Sequence, residues 1–154
     1  MFDAPVDAWY VWIGLGFASL AVLATTLALG STAPTGAARV AGVVDEVASS
    51  PHRAVETVRL DAREVRLGTS RLALKTGAGV AHATVDFGPV TPVGGGRLGA
   101  VLDGRPVSEV FATRGAFERA VERARERAGA WRPAPSRLTV RRVSWGNVDA
   151  TLVG

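Results

Sequence analysis

The chain has 154 residues, no cysteine and a formal charge of +4. Without cysteine there is no disulfide framework and no thiolate-held zinc or iron–sulfur centre. All eighteen basic residues, seventeen of them arginine, follow residue 38, whereas the first eight residues carry only two acids. An arginine excess of this kind draws a chain toward anionic headgroups or nucleic acid. The plainer reading, which the sequence favours, is a surface whose arginines pair locally.

Residues 1–8 form an acidic tail with Asp3, Asp7 and a helix-limiting Pro5. Residues 9–30 then run without a charge. A bilayer core about 30 Å thick needs roughly 20 apolar residues at about 1.5 Å each, and this stretch meets that length. A cleaved signal peptide would carry a basic leader and a shorter apolar core. A buried core helix would rarely open with three clustered aromatics. Trp9, Tyr10 and Trp12 therefore read as membrane-interface anchors of a single-pass helix. Gly14 and Ala18, and Ala24 and Ala28, have the small-xxx-small spacing that lets helices approach in lipid. They are the candidates for packing on a membrane partner or a second copy. The basic residues follow the span, a bias that favours the cytoplasm for the C-terminal domain, whereas a pilin-like protein would have the opposite orientation.

Residues 31–36 are a breaker-rich linker, and residues 37–154 are expected to form one small domain with a modest core. Val40, Val43, Val44 and Val47 recur at helical spacing over 37–49. Residues 54–60 alternate weakly. Residues 64–67 and 71–75 alternate clearly around Gly68-Thr69-Ser70, a hairpin signature that buries Val65, Leu67, Leu72 and Leu74. A strand over 80–87 would put Ala81, Ala83, Val85 and Phe87 on one side. Residues 90–96 read as a Pro/Gly loop, and 98–102 and 106–111 as short turns. Thr113 is a candidate N-cap for a helix over 114–128, with Phe117, Ala120, Val121, Ala124 and Ala128 on its apolar face. Its glutamates (118, 122, 126) and arginines (119, 123, 127) are spaced for a salt ladder. Pro133 and Pro135 mark a link. Strands over 138–145 and 148–153 close the chain around Gly146-Asn147, with a bulge predicted where the alternation slips at Arg142-Val143. The expected class is α+β: an N-terminal transmembrane helix, then one antiparallel sheet with one or two packed helices.

No catalytic constellation emerges. Lys75-Thr76-Gly77 matches a strand motif of serine β-lactamases, but there is no Ser-x-x-Lys to accompany it. Gly94-Gly95-Gly96 lacks the Lys-Ser/Thr of a phosphate loop. His52 and His82 are the only histidines, and neither has a partner at metal-ligand spacing. A non-enzymatic protein without cofactor or metal is expected. Arg137, Arg141 and Arg142, interleaved with Trp131 and Trp145, are the candidates for contact with an anionic surface. For them a lipid headgroup ranks above nucleic acid.

The opening Met1-Phe2-Asp3-Ala4-Pro5-Val6-Asp7-Ala8-Trp9-Tyr10-Val11-Trp12 resembles the start of a family of uncharacterised single-pass membrane proteins from halophilic archaea. Further matching stretches are Val65-Arg66-Leu67-Gly68, Gly88-Pro89-Val90-Thr91-Pro92-Val93, Val110-Phe111, Trp131-Arg132-Pro133 and Val143-Ser144-Trp145-Gly146-x-Val148-Asp149. The resemblance implies no established activity and no catalytic residue. It implies a neighbourhood of type II or type IV secretion, or of pilus-like machinery, and hence an accessory or structural part acting through membrane-protein contacts. The chain departs from the usual halophile pattern in being basic rather than acidic.

Overall fold

The computed structural model describes residues 36–154. The acidic tail, the predicted membrane helix over 9–30 with its aromatic anchors and small-residue face, and most of the linker lie outside the described residues. Among the described residues no helix is long and apolar enough to cross a membrane.

The domain is α+β, as its periodicities require. Helix α1 (Gly36–Ser49) buries Val40, Val44 and Val47 as expected, and also Ala37, Ala41 and Ala48. It lies between two four-stranded sheets and touches strands of both. The alanines let a second sheet approach where a surface helix would carry polar side chains. The first sheet has the order β1 (Val55–Arg59), β7 (Arg137–Trp145), β8 (Val148–Val153), β5 (Val90–Pro92). The second has the order β4 (Gly79–Thr84), β3 (Arg71–Thr76), β2 (Glu64–Leu67), β6 (Trp131–Pro133). The single sheet expected from sequence is thus two. One pairing, β5 with β8, is parallel, and the rest are antiparallel. Strands β5 and β6 fell in stretches read as loop and link. Each is three residues long, ends on proline and occupies a sheet edge. An edge is where a missing N–H costs no ladder bond.

The β2–β3 hairpin has the predicted register, and Val65, Leu67, Leu72 and Leu74 are all buried against α1 and the first sheet. Gly68 is required in its turn, because a Cβ there would meet the Arg71 carbonyl oxygen at 2.9 Å. The strand expected over 80–87 ends at Thr84. The Asp45 carboxylate of α1 accepts hydrogen bonds from the N–H groups of Asp86 and Phe87, both at 2.9 Å. The chain bends there, so Phe87 turns outward and is 57% exposed.

Strand β7 corrects the predicted bulge. Its pairing with β8 is continuous from Val140↔Val153 to Trp145↔Val148. Leu138 and Val140 face α1, whereas Val143 and Trp145 face the other side of the sheet. The alternation slips because the buried face changes midway along a strand covered on both sides. That second side carries α2 (Gly96–Leu102), α3 (Val107–Val110) and α4 (Arg114–Glu126). Phe117 is the centre of their core, edge-on to Phe111 with ring centroids 5.4 Å apart.

Helix α4 begins as predicted: the Thr113 hydroxyl accepts the Ala116 N–H at 3.2 Å. Removing that cap in Thr113→Ala is expected to cost about 1 kcal/mol. A lower urea midpoint at unchanged m-value would show it.

Candidate functional site

Helix α4 divides its polar surface. Arg119, Arg123 and Arg127 recur every fourth residue, so their Cα atoms rise about 6 Å apart along one row. Beside that row, toward the core, run Ala116, Ala120 and Ala124, which are only partly buried. The predicted salt ladder does not form. The Lys75–Glu64 pair, at 2.6 Å, is the one salt bridge among the described residues. The arginine row instead lines a groove of about 570 Å³.

Three segments complete the groove. The loop after β5 supplies Val93, Gly94, Gly95, Gly96 and Arg97 as the opposite wall. Leu98 and Phe111 lie in its floor, and Leu67, at the end of β2, lies at the far end with Gly129, Ala130 and Arg132. Five guanidiniums therefore surround one cavity: Arg97, Arg119, Arg123, Arg127 and Arg132. No carboxylate, imidazole, hydroxyl or thiol is among the lining residues. Such a lining offers charge and apolar contact to a ligand, and no group that takes up a proton near neutral pH.

The frame is fixed by hydrogen bonds from neighbouring arginines and glycines. Arg125, on the core side of α4, donates from Nε to the buried Thr91 hydroxyl at 3.0 Å and from Nη2 to the Pro89 carbonyl at 3.1 Å. This ties α4 to β5. Gly129 has φ of +92°, a conformation that ends a helix readily only at glycine. Its N–H donates to the Leu67 carbonyl, and its own carbonyl accepts from Arg66 Nε at 2.6 Å. Arg132 donates from Nη1 to the Val93 carbonyl at 2.7 Å, joining β6 to the glycine wall. Burial pushes the Arg132 guanidinium below its ordinary pKa. The same effect lowers Arg125, against a smaller opposing pull from Glu122. Both cations are held at a desolvation cost that a nearby anion would offset.

Arg97 lies over the Phe111 ring, 5.8 Å from its centroid. Among the described residues Arg119 and Arg123 have no carboxylate within 4 Å. The glycine wall is conformationally committed: Gly95 has φ of +112° and ψ of −160°. Gly95→Ala is expected to destabilise the domain by about 1–3 kcal/mol. Thermal denaturation would register this as a lower Tm.

The residues singled out from sequence lie elsewhere. Arg141 and Arg142 are neighbours on β7 and point to opposite faces. Arg141 donates from Nε to the Leu102 carbonyl at the end of α2, at 2.8 Å, and Arg142 donates from Nη1 to the Ala48 carbonyl near the end of α1. Each completes a helix terminus whose last carbonyls lack partners within the helix. Arg137 is exposed on the same strand, paired opposite Arg59. The structure therefore does not gather the three into one patch. His52 and His82 are both exposed. Among the described residues no group of three or more acidic or histidine side chains is placed to hold a metal. The sequence signal for the groove was the four-residue recurrence of arginine beside a row of alanines. The contributions of Arg97 and Arg132 come from distant segments and have no local signal.

A small α+β domain with a cationic, apolar-floored groove is the class that fold and site define. Residues 3–143 match DUF7283, a family of unknown function, and the chain belongs to that family. No curated protein and no solved structure matches it.

Proposed function

We propose that this protein is a membrane-tethered, non-enzymatic binding module whose arginine groove holds an anionic partner. The carrying observation is the set of five guanidiniums around one cavity with no carboxylate in its lining. Like charges four residues apart weaken a helix by a few tenths of a kcal/mol per pair. Arg132 and Arg127 donate to backbone carbonyls, but among the described residues none of the five has a carboxylate partner, and a repulsive row without a counter-charge supports a functional reading. The tether rests on the uncharged stretch over 9–30, which is long enough to span. The family match starts at residue 3 and so includes that stretch. The charge bias orients the domain to the cytoplasm.

The test uses the full-length chain in neutral detergent, titrated with a fluorescent heparin oligosaccharide as a generic polyanion. Saturable binding that falls as salt rises supports the reading, and failure to bind at low salt ends it. The tether is checked separately: membranes should release the chain to detergent and retain it in alkaline carbonate.

A second reading makes the chain an accessory part of a secretion or pilus-like assembly in a halophilic archaeon, working through protein contacts. It is favoured by the resemblance and by β4, an unpaired sheet edge whose Val80 is 47% exposed. Such an edge can accept a strand from a partner. Co-purification with a secretion ATPase or its membrane platform in mild detergent would support this reading, and its absence would count heavily against it.

A further inference from the structure

The anion reading leaves the chemistry of the anion open, and the size and composition of the groove narrow it. A volume of about 570 Å³ falls in the range of roughly 300–1,000 Å³ typical of small-molecule sites. The ligand is therefore compact. It must also be highly charged. A single carboxylate would neutralise one of the five lining guanidiniums and leave the others in mutual repulsion. Linked phosphates place several negative charges within a few ångströms, and the planar fork of arginine matches phosphate oxygens two at a time.

The walls agree with that charge density. Gly94, Gly95 and Gly96 present no side chain to the cavity, so a bulky tetrahedral group can approach between this loop and the arginine row of α4. The floor is different in kind. Leu98 and Phe111 are both nearly buried yet border the same cavity. They offer apolar contact to a flat or aliphatic part of the same ligand, and Arg97 over Phe111 marks the boundary between the two halves.

We propose that the groove binds a ligand carrying clustered phosphate groups joined to an apolar or aromatic moiety, the phosphates on Arg119, Arg123 and Arg97 and the moiety on Leu98 and Phe111. This rests on the anion-binding reading and specifies its ligand class. Two sources share the chemistry: a soluble nucleoside polyphosphate and a phosphorylated lipid headgroup.

The experiment is a displacement series on the full-length chain in neutral detergent, with the heparin probe already bound. Tripolyphosphate is expected to displace the probe at micromolar to low-millimolar concentration, and adenosine triphosphate at least tenfold more effectively than tripolyphosphate because it also fills the floor. If mixed micelles containing phosphatidylinositol 4,5-bisphosphate displace the probe better than the nucleotide, the source is the lipid. Displacement by a polyglutamate peptide but not by tripolyphosphate would overturn the phosphate assignment while leaving an anion-binding groove, with an acidic polypeptide as occupant. Failure of the heparin probe itself to bind would overturn both. Phe111→Leu separates the floor from the rim: it should reduce the advantage of the nucleotide over tripolyphosphate without weakening tripolyphosphate. Equal loss of both ligands would contradict the assigned floor.

Discussion

Phe117→Ala is expected to destabilise the domain by about 3–5 kcal/mol, enough to remove a large share of the stability of a domain this size. Phe117 is fully buried. It packs against Phe111 at 5.4 Å and against Trp145 at 6.4 Å between centroids. These three rings come from the loop after α3, from α4 and from β7, so the side chain joins helices to sheet. The hole left by alanine cannot close easily, because α4 is also held to β5 by Arg125. Equilibrium urea unfolding followed by far-UV circular dichroism measures the loss. A loss below about 1 kcal/mol would mean that the second core is not packed around this ring.

The second large effect is on binding rather than on stability. Replacing the two central groove arginines in Arg119→Gln with Arg123→Gln is expected to weaken anion binding at least tenfold, or about 1.4 kcal/mol. Thermal stability should hold or rise slightly. The two side chains have no carboxylate partner within 4 Å among the described residues, and they stand four residues apart on one helix, where like charges repel. Glutamine keeps the helix propensity and removes the repulsion. A gain or tie in stability combined with lost binding is the signature of a site maintained for its ligand. A protein that instead loses several degrees in Tm would show these arginines to be structural.

The fold was legible wherever one face of an element meets the core. The hairpin around Gly68, the Thr113 cap and the final two strands all follow from local periodicity and turn chemistry. What escaped were features decided by tertiary contact. Strands β5 and β6 are short, proline-ended edges that exist because a neighbouring strand is there to pair with. The break in alternation at Arg142-Val143 records a strand buried first on one face and then on the other. Phe87 turned out of the core because Asp45, distant in sequence, holds the bend before it.

The site was legible only in part. The arginine row on α4 was visible as a repeat, but the intervening glutamates made a salt ladder the natural expectation. Folding sets the row against the glycine wall, so the arginines border the cavity and the glutamates do not. Arg137, Arg141 and Arg142 stand out in sequence because they interleave with Trp131 and Trp145. On a strand adjacency means opposite faces, and Arg141 and Arg142 each serve a different helix end.

The central claim is that the groove, not the overall positive charge of the chain, holds the anion. The most direct measurement is a parallel titration of three full-length proteins with the heparin probe: the unaltered chain, the Arg119→Gln/Arg123→Gln variant, and an equally discharged Arg59→Gln/Arg137→Gln variant on the paired β1 and β7 residues outside the groove. The groove variant should lose at least tenfold in affinity, while the β1–β7 variant binds within about twofold of the unaltered chain. Equal losses in the two variants would show diffuse electrostatic attraction and contradict a built site.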